Sequence, residues 1–525
     1  MVKALPKEIQ DLVSQNDSMN RYLLNLSIEQ PHTKRSWLYE NIENPDDILE
    51  IWLGTLSKLE NGDTFEKEVF QFDISQKEKW RPQGGHAPMA ELYPSVIKPM
   101  FAEHPSAHAF KTEKWRASQK AIVRMLQTIY SLHGIRPASY EHVVDDMRAR
   151  DTLESNSGWP DFSRRSLPEV KKAAVAAAST GAWKTYPAIA LFRNYNAKTR
   201  LVWMFPMATN LVEGSLTQPL QSQIIKVAQN SNQNFFSPWI GFDRCRDVIT
   251  SLYDKGQYLY ATDFSSTDAH FGETTSEQAA SVLNALIGRD GHQRLAETIH
   301  NMHNIPLIIS QNEWVVGSHG LSSGSNWTNF LETVFDSIFC YWVHQLCPVY
   351  GVYAIGDDIC WASDKFESTF STQAEEFGKE VGQAVNAEKV SCYPDKVKTL
   401  QRLFQRGYRR SDGKLRGVYS TVRALKSSVY PERFHKPSLW SSDMFCARQY
   451  MILENCVDHP LFEEFVQFVV RGQRDLIPFA KQTKRSLDRI LRETKLLPGF
   501  NPTYNQERRD TSLDSFESVR IARAL

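Results

Sequence analysis

Asp357 and Asp358 stand side by side after Gly356, between the apolar runs Val352-Tyr-Ala-Ile355 and Ile359-Cys-Trp-Ala362. Glycine–aspartate pairs are common turn formers, so an exposed hairpin turn would by itself account for them. A second acidic run end changes that reading: Tyr258-Leu-Tyr-Ala-Thr262 leads straight into Asp263. Transfer of a phosphoryl group between two metal ions needs carboxylates on converging backbone elements, with the ions roughly 3.5 to 4 Å apart. Asp263 and Asp357, each closing an apolar run, meet that requirement. Between them lies Gly320-Leu-Ser-Ser-Gly-Ser-Asn-Trp-Thr328, a small, hydroxyl-rich loop. Gly320 and Gly324 permit close backbone approach, and Ser323, Ser325 and Thr328 can hydrogen-bond a sugar or phosphate, although a helix cap needs no more than this.

The two acidic run ends predict buried strands, and helical patterns from Thr328 to Val343 and from Thr369 to Val385 predict helices layered on them, an α/β arrangement. Residues 1 to about 150 read as mostly helical. Within them Phe110 to Tyr130 alternates Lys111, Lys114, Arg116, Lys120 and Arg124 with apolar positions, an amphipathic helix with a basic face that solvation alone can explain. After about Arg416 the chain is helix-rich and basic, and from Asn501 onward it is polar and expected to pack poorly. Lys+Arg and Asp+Glu both number 61, so net charge offers no sign of a nucleic-acid partner and any sign must be local. The seven cysteines are scattered without a Cys-x-x-Cys pair, which predicts reduced thiols rather than zinc ligands. No secretory signal or bilayer-length apolar run is present, so Asn326-Trp327-Thr328 is read as an accidental sequon.

In chain order, Asp263-x4-Asp268, Ser323-Gly324-x3-Thr328 and Gly356-Asp357-Asp358 resemble motifs A, B and C of viral RNA-dependent RNA polymerases, and the details most resemble picobirnavirus polymerases, with partitivirus polymerases as relatives. Arg193, Lys198 and Arg200 resemble the basic motif F that grips the incoming triphosphate. Ser155-Asn156-Ser157-Gly158-Trp159-Pro160 resembles the template-guiding motif G, Asn386-Ala387-Glu388-Lys389 motif D, and Leu403-Phe404-Gln405-Arg406-Gly407-Tyr408 the primer grip, motif E. The motifs cover about residues 155 to 408, and it is their joint order that is specific.

The resemblance implies an α/β (α+β) right-hand polymerase of fingers, palm and thumb, the palm a small antiparallel sheet backed by helices and the hand closed by fingertip contacts to the thumb. It implies an N-terminal region and fingers over 1–206, palm over 207–271 and 305–412, a fingers insertion over 272–304, and thumb and tail over 413–525. It further implies two Mg²⁺ ions, with Mn²⁺ as a substitute, on Asp263 and Asp357 with Asp358 assisting. Lys389 is implied as general acid for pyrophosphate, and Asp268, Ser323, Gly324, Thr328, Asn329 and Glu332 as nucleotide contacts. Ser157, Gly158 and Arg406 are implied to touch RNA. The implied partners are template and product RNA, ribonucleoside triphosphates and a capsid protein, with no membrane, inside a particle and the host cytoplasm. Many positive-strand viral polymerases carry Asn where Glu332 stands, so Asp268 is expected to read the ribose directly, with Glu332 behind it or turned away toward a cation. A reverse transcriptase usually has Tyr-x-Asp-Asp and an aromatic residue at the position of Asp268. A non-catalytic RNA-binding or capsid protein has no use for the three aspartates together, and the chain has no P-loop pattern.

Overall fold

The computed structural model describes residues 1–149, 152–433, 436, 438–497 and 511–525. Among these the strands, β1–β12 in chain order, form three sheets. The central one has the order β7 (Tyr350–Ile355), β8 (Asp358–Ser363), β4 (Tyr258–Asp263), β9 (Ser391–Cys392), every neighbouring pair antiparallel. The two acidic runs are strands, as expected, and the sheet is the small antiparallel one that the resemblance implies. A second sheet runs β1 (Val2–Ala4), β6 (Glu313–Val315), β5 (Leu307–Ile308), β2 (Ala188–Tyr195), β3 (Lys198–Met204), with only β2 and β5 parallel. The third is β10 (Lys396–Thr399), β11 (Arg402–Gln405), β12 (Val418–Tyr419).

The Trp327–His344 helix packs on β7, and its apolar residues go almost all the way round: Phe330, Leu331, Val334, Phe335, Ile338, Phe339, Trp342 and Val343 are buried. A helix apolar on all sides must be enclosed. The Glu113–Thr128 and Glu273–Asn284 helices cover its outer face. Glu113–Thr128 is the basic amphipathic helix, burying Trp115, Ile122 and Leu126 and leaving Arg116, Lys120 and Arg124 in solvent.

The C-terminal helices share one core with Leu38, Ile48, Trp52, Leu56, Val69 and Phe72. The N-terminal helices Pro45–Leu56 and Thr64–Ile74 thus pack against residues 403–522, not against β2 and β3. At the far end of the molecule the β2–β3 hairpin meets the Thr421–Val429 helix. Arg193 makes a two-pronged ion pair with Glu432, at 2.5 and 2.9 Å, Arg423 donates to the Tyr195 hydroxyl at 3.0 Å, and Lys426 donates to Asn196. These contacts join the hairpin to the C-terminal segment.

The expectation of a poorly packed tail is corrected for residues 511–525. Leu513, Phe516, Val519 and Ala522 are buried, and the Glu517–Arg523 helix docks on the C-terminal core. Glu454 caps that helix, accepting from the Glu517 and Ser518 amides and from Ser518 Oγ. The mixed charges of the segment conceal this apolar stripe. The part of the expectation that falls on residues 501–510 lies outside the described residues. Among the described residues no helix is long and apolar enough to cross a membrane.

Candidate active site

The register places Asp263, the last residue of β4, opposite Asp358, the first of β8, while Ile355 pairs with Asp358 across the hairpin. Gly356 and Asp357 are left as the two-residue turn, and the φ of +59° at Gly356 is the backbone state that favours glycine there. A Cβ at Gly356 would lie 3.0 Å from Asn329 Nδ2 and 3.2 Å from a Glu332 carboxylate oxygen, so the turn rests on the Trp327–His344 helix. Its amide donates to Thr333 Oγ1 at 3.1 Å. The Phe264 amide donates to the Asp357 carbonyl at 3.3 Å and Thr267 Oγ1 to Asp357 Oδ2 at 3.2 Å, which hold the turn over the end of β4.

There the Asp263 and Asp357 carboxyls come within hydrogen-bonding reach of each other. Displaced water and then the Asp357 charge push Asp263 upward, with Arg200 and Lys389 opposing. Asp263 opens to solvent on one side while the like charge of Asp357 lies against it. Burial, then Asp357, raises Asp268 to about 6, and burial with Asp357 and Asp263 raises Asp358 to about 8. Buried Glu332 is pushed well above the carboxylate range by its surroundings, then by Asp268 and Asp357. Asp336, one turn further along the helix and fully buried, is raised by burial, then Glu332, Asp357 and Asp358. Acidic groups thus crowd one end of the sheet, with Arg200 and Lys389 as the cations acting on Asp263. Hard oxygen donors of this kind suit Mg²⁺ or Mn²⁺. Among the described residues no three acidic, histidine or cysteine side chains are already drawn around one point. The Asp263–Asp357 pair is the donor set that a divalent ion fits.

The Gly320–Thr328 loop threads between this acidic end and β3. Gly320 lies so close to Asp268 that a Cβ there would fall 1.8 Å from the Asp268 carbonyl, and the Leu321 amide donates to that same oxygen at 2.8 Å. A Cβ at Gly324 would strike the Trp203 carbonyl at 1.8 Å. Glycine is required at both by close approach. Ser323 Oγ lies 3.4 Å from the Leu201 carbonyl, Thr328 Oγ1 donates to the Ser322 carbonyl at 3.1 Å, and Asn329 is exposed.

Residues 195–415 match the family model for viral RNA-dependent RNA polymerase. A human picobirnavirus protein described as a potential RNA-dependent RNA polymerase is 25% identical over 489 residues, covering 87% of this chain and 86% of that one. The chain is thus similar in sequence to viral RNA-dependent RNA polymerases across its central region. Its fold matches the crystal structure of the RNA-dependent RNA polymerase of a human picobirnavirus, with a TM-score of 0.80 and 22% identity over 99% of this chain and all of the other. An insertion-loop deletion mutant of that enzyme matches at a TM-score of 0.79 and 21% identity, with the same coverage. This polymerase is a nucleotidyltransferase.

Of the polymerase's expected cations, Arg200 and Lys389 act on the acidic cluster. Arg193 is instead engaged by Glu432, and Lys198 stands at the hairpin tip near Lys79. Arg406 lies over the rings of Tyr253 and Tyr258, at 5.0 and 4.9 Å, and donates to the Gln257 carbonyl, a packing role behind the sheet. Ser157 and Gly158 are buried. The Ser157 amide donates to the Ser163 carbonyl, its carbonyl accepts from Met207, and Gly158, at φ +66°, lies against the Phe205 carbonyl. In this state both shape their loop from within.

The motif reading missed Asp336 and Glu213. Asp336 shares a face with Glu332 at i+4 spacing, a legible signal in a helix otherwise apolar. Glu213 sits in the Met207–Gln229 helix, which is buried continuously from Met207 to Gln218, and no pattern in the sequence marks it.

Proposed function

We propose that this polymerase joins ribonucleotides to an RNA 3′-hydroxyl by two-metal nucleotidyl transfer, releasing pyrophosphate, and thereby transcribes and replicates a double-stranded viral RNA genome. The observation that carries this reading is the meeting of Asp263 and Asp357 at the junction of β4 and the β7–β8 turn. These two residues would hold Mg²⁺, or Mn²⁺, with Asp358 behind them. When bound, the ions supply charge neutralisation at the attacking hydroxyl and the leaving oxygen. The chain's own residues do the rest. Arg200 and Lys198 neutralise the triphosphate, Arg193 joining them only if its pair with Glu432 opens. Asp268 accepts the ribose 2′-hydroxyl beside Ser323, Gly324, Thr328 and Asn329, and Lys389 places a proton on departing pyrophosphate.

In the corresponding right-hand division, the palm, over 207–271 and 305–412, is built around the central sheet. The fingers are 1–206 with the insertion 272–304, and the thumb is 413–525. Within 1–206, residues 38–72 pack against the thumb helices. The template would pass the Ser155–Pro160 loop, with the polymerase working inside a particle, against capsid protein, in the host cytoplasm.

Primed extension of a short RNA template tests the proposal. Asp263→Ala and Asp357→Ala should each lose at least about a thousandfold in incorporation, while Asp358→Asn keeps partial activity, because the first two carboxylates face each other and Asp358 lies behind. Substantial incorporation by a folded Asp357→Ala protein would exclude this centre.

A further inference from the structure

A buried network on the Met207–Gln229 helix reaches the back of the Gly320–Thr328 loop. Glu213 is completely buried; one carboxylate oxygen accepts from Ser325 Oγ at 2.6 Å, and the other accepts from the Asn326 amide at 2.8 Å and Asn210 Nδ2 at 3.2 Å. Asn210, one turn earlier on the same face, also donates to the Gly324 carbonyl at 3.1 Å, and its own carbonyl accepts from Asn326 Nδ2 at 2.9 Å. Three successive loop residues, Gly324, Ser325 and Asn326, are therefore pinned by two side chains of one helix. The network continues away from the loop. Arg165 donates from its guanidinium to Asn210 Oδ1 at 2.9 Å and to the Asn156 carbonyl at 3.0 Å, which joins the Ser155–Pro160 loop to the same helix.

A fully buried carboxylate is costly, and burial raises Glu213 to about 7 despite its three donors. A structural core at this position would be served better by an apolar residue. What the carboxylate provides is direction: it takes two donors at once from the loop, Ser325 Oγ and the Asn326 amide, and a third from Asn210 on its own helix. The front of that loop is set by Gly320 against Asp268 and by Gly324 against β3.

We propose that Glu213, with Asn210, is a positioning residue: it fixes the back of the Gly320–Thr328 loop so that Ser323 and Thr328 face the nucleotide, and through Arg165 it links that loop to the Ser155–Pro160 loop that guides the template. This rests on the polymerase reading above. Glu213 itself touches neither substrate nor metal ligand.

Glu213→Ala removes all three acceptor contacts, and Glu213→Gln can keep its oxygen toward the Asn326 amide while its amide group donates to Ser325, whose hydroxyl turns to accept. In primed extension by the full chain with one ribonucleotide, Glu213→Ala should raise nucleotide KM on the order of tenfold with a smaller change in kcat. Glu213→Gln should stay within about threefold of wild type. Ser325→Ala combined with Glu213→Ala should fall short of the product of the two single effects, because both break one contact. Asp73→Ala, which breaks an equally buried network of Thr421 and His459 remote from the loop, controls for general loosening and should lower the melting temperature without moving KM. A KM unchanged in Glu213→Ala, moved equally by Asp73→Ala, or multiplied independently by Ser325→Ala would overturn the assignment. A wild-type protein that incorporates nothing would instead refute the polymerase reading.

Discussion

Asp268 and Glu332 sit where ribose selection would be decided, and their geometry separates two roles that chemistry allows. Two carboxylates side by side repel unless a proton, cation or donor lies between them. Glu332 is buried against the Gly356 turn, with Asp268 and Asp357 as its charged neighbours. It therefore faces the site from behind. Asp268→Ala should lose both rate and ribose-over-deoxyribose preference, whereas Glu332→Gln, which keeps shape and a donor, should retain most activity. Competition between ribonucleotide and deoxyribonucleotide in the same reaction measures this; intact discrimination in Asp268→Ala would give the sugar sensor to another residue. At this scale the sequence is most readable where a charge interrupts an apolar strand, as at Asp263 and Asp357, since a buried strand tolerates an acid only at its end. Arg193, Ser157 and Arg406 show the converse. Their types fit phosphate or RNA, but residue type cannot report that Glu432, a buried loop or two tyrosine rings has already engaged them.

At the scale of elements, the β2–β3 hairpin and the Thr421–Val429 helix meet through polar contacts made by residues more than two hundred positions apart. The hairpin turns on Asn196 and Ala197, with φ of +52° and +63°, the pair of left-handed residues a two-residue turn requires. Only Asn196 hints at it in the sequence. Strands β4, β7 and β8 were legible because six residues suffice to display an apolar run, while β5, β9 and β12, two residues each, are set by their neighbours and carry no period of their own. The Arg193–Glu432 pair is partly open to solvent, so breaking it should cost no more than about 1 kcal/mol of stability. Its larger effect is on the docking of the hairpin against the C-terminal segment. Glu432→Gln should leave single-nucleotide incorporation near wild type yet shorten products when a trap captures released enzyme on a long template. Full-length products at wild-type yield under the trap would show that the hairpin stays docked without this pair.

Across the whole molecule, the two chain ends are built into distant parts of the fold. Val2–Ala4 extends the second sheet by pairing with β6, and the Glu517–Arg523 helix completes the C-terminal core. A three-residue strand and a short, charge-rich helix are faint signals locally, because their stability comes from the surfaces that receive them. Phe516 is 1% exposed among the C-terminal helices, Glu454 caps the segment that follows, and Arg523 donates to the Ala480 carbonyl at 2.7 Å. These contacts belong to a core and hold the segment in its seat. Truncating a buried phenylalanine costs about 3 to 5 kcal/mol, so Phe516→Ala should lower the urea midpoint clearly and depress primed and primer-free synthesis together. Removal of residues 511–525 should do the same more severely. If either variant instead melts like the wild type and changes only primer-free initiation, the C-terminal helix serves initiation and the packing account is wrong.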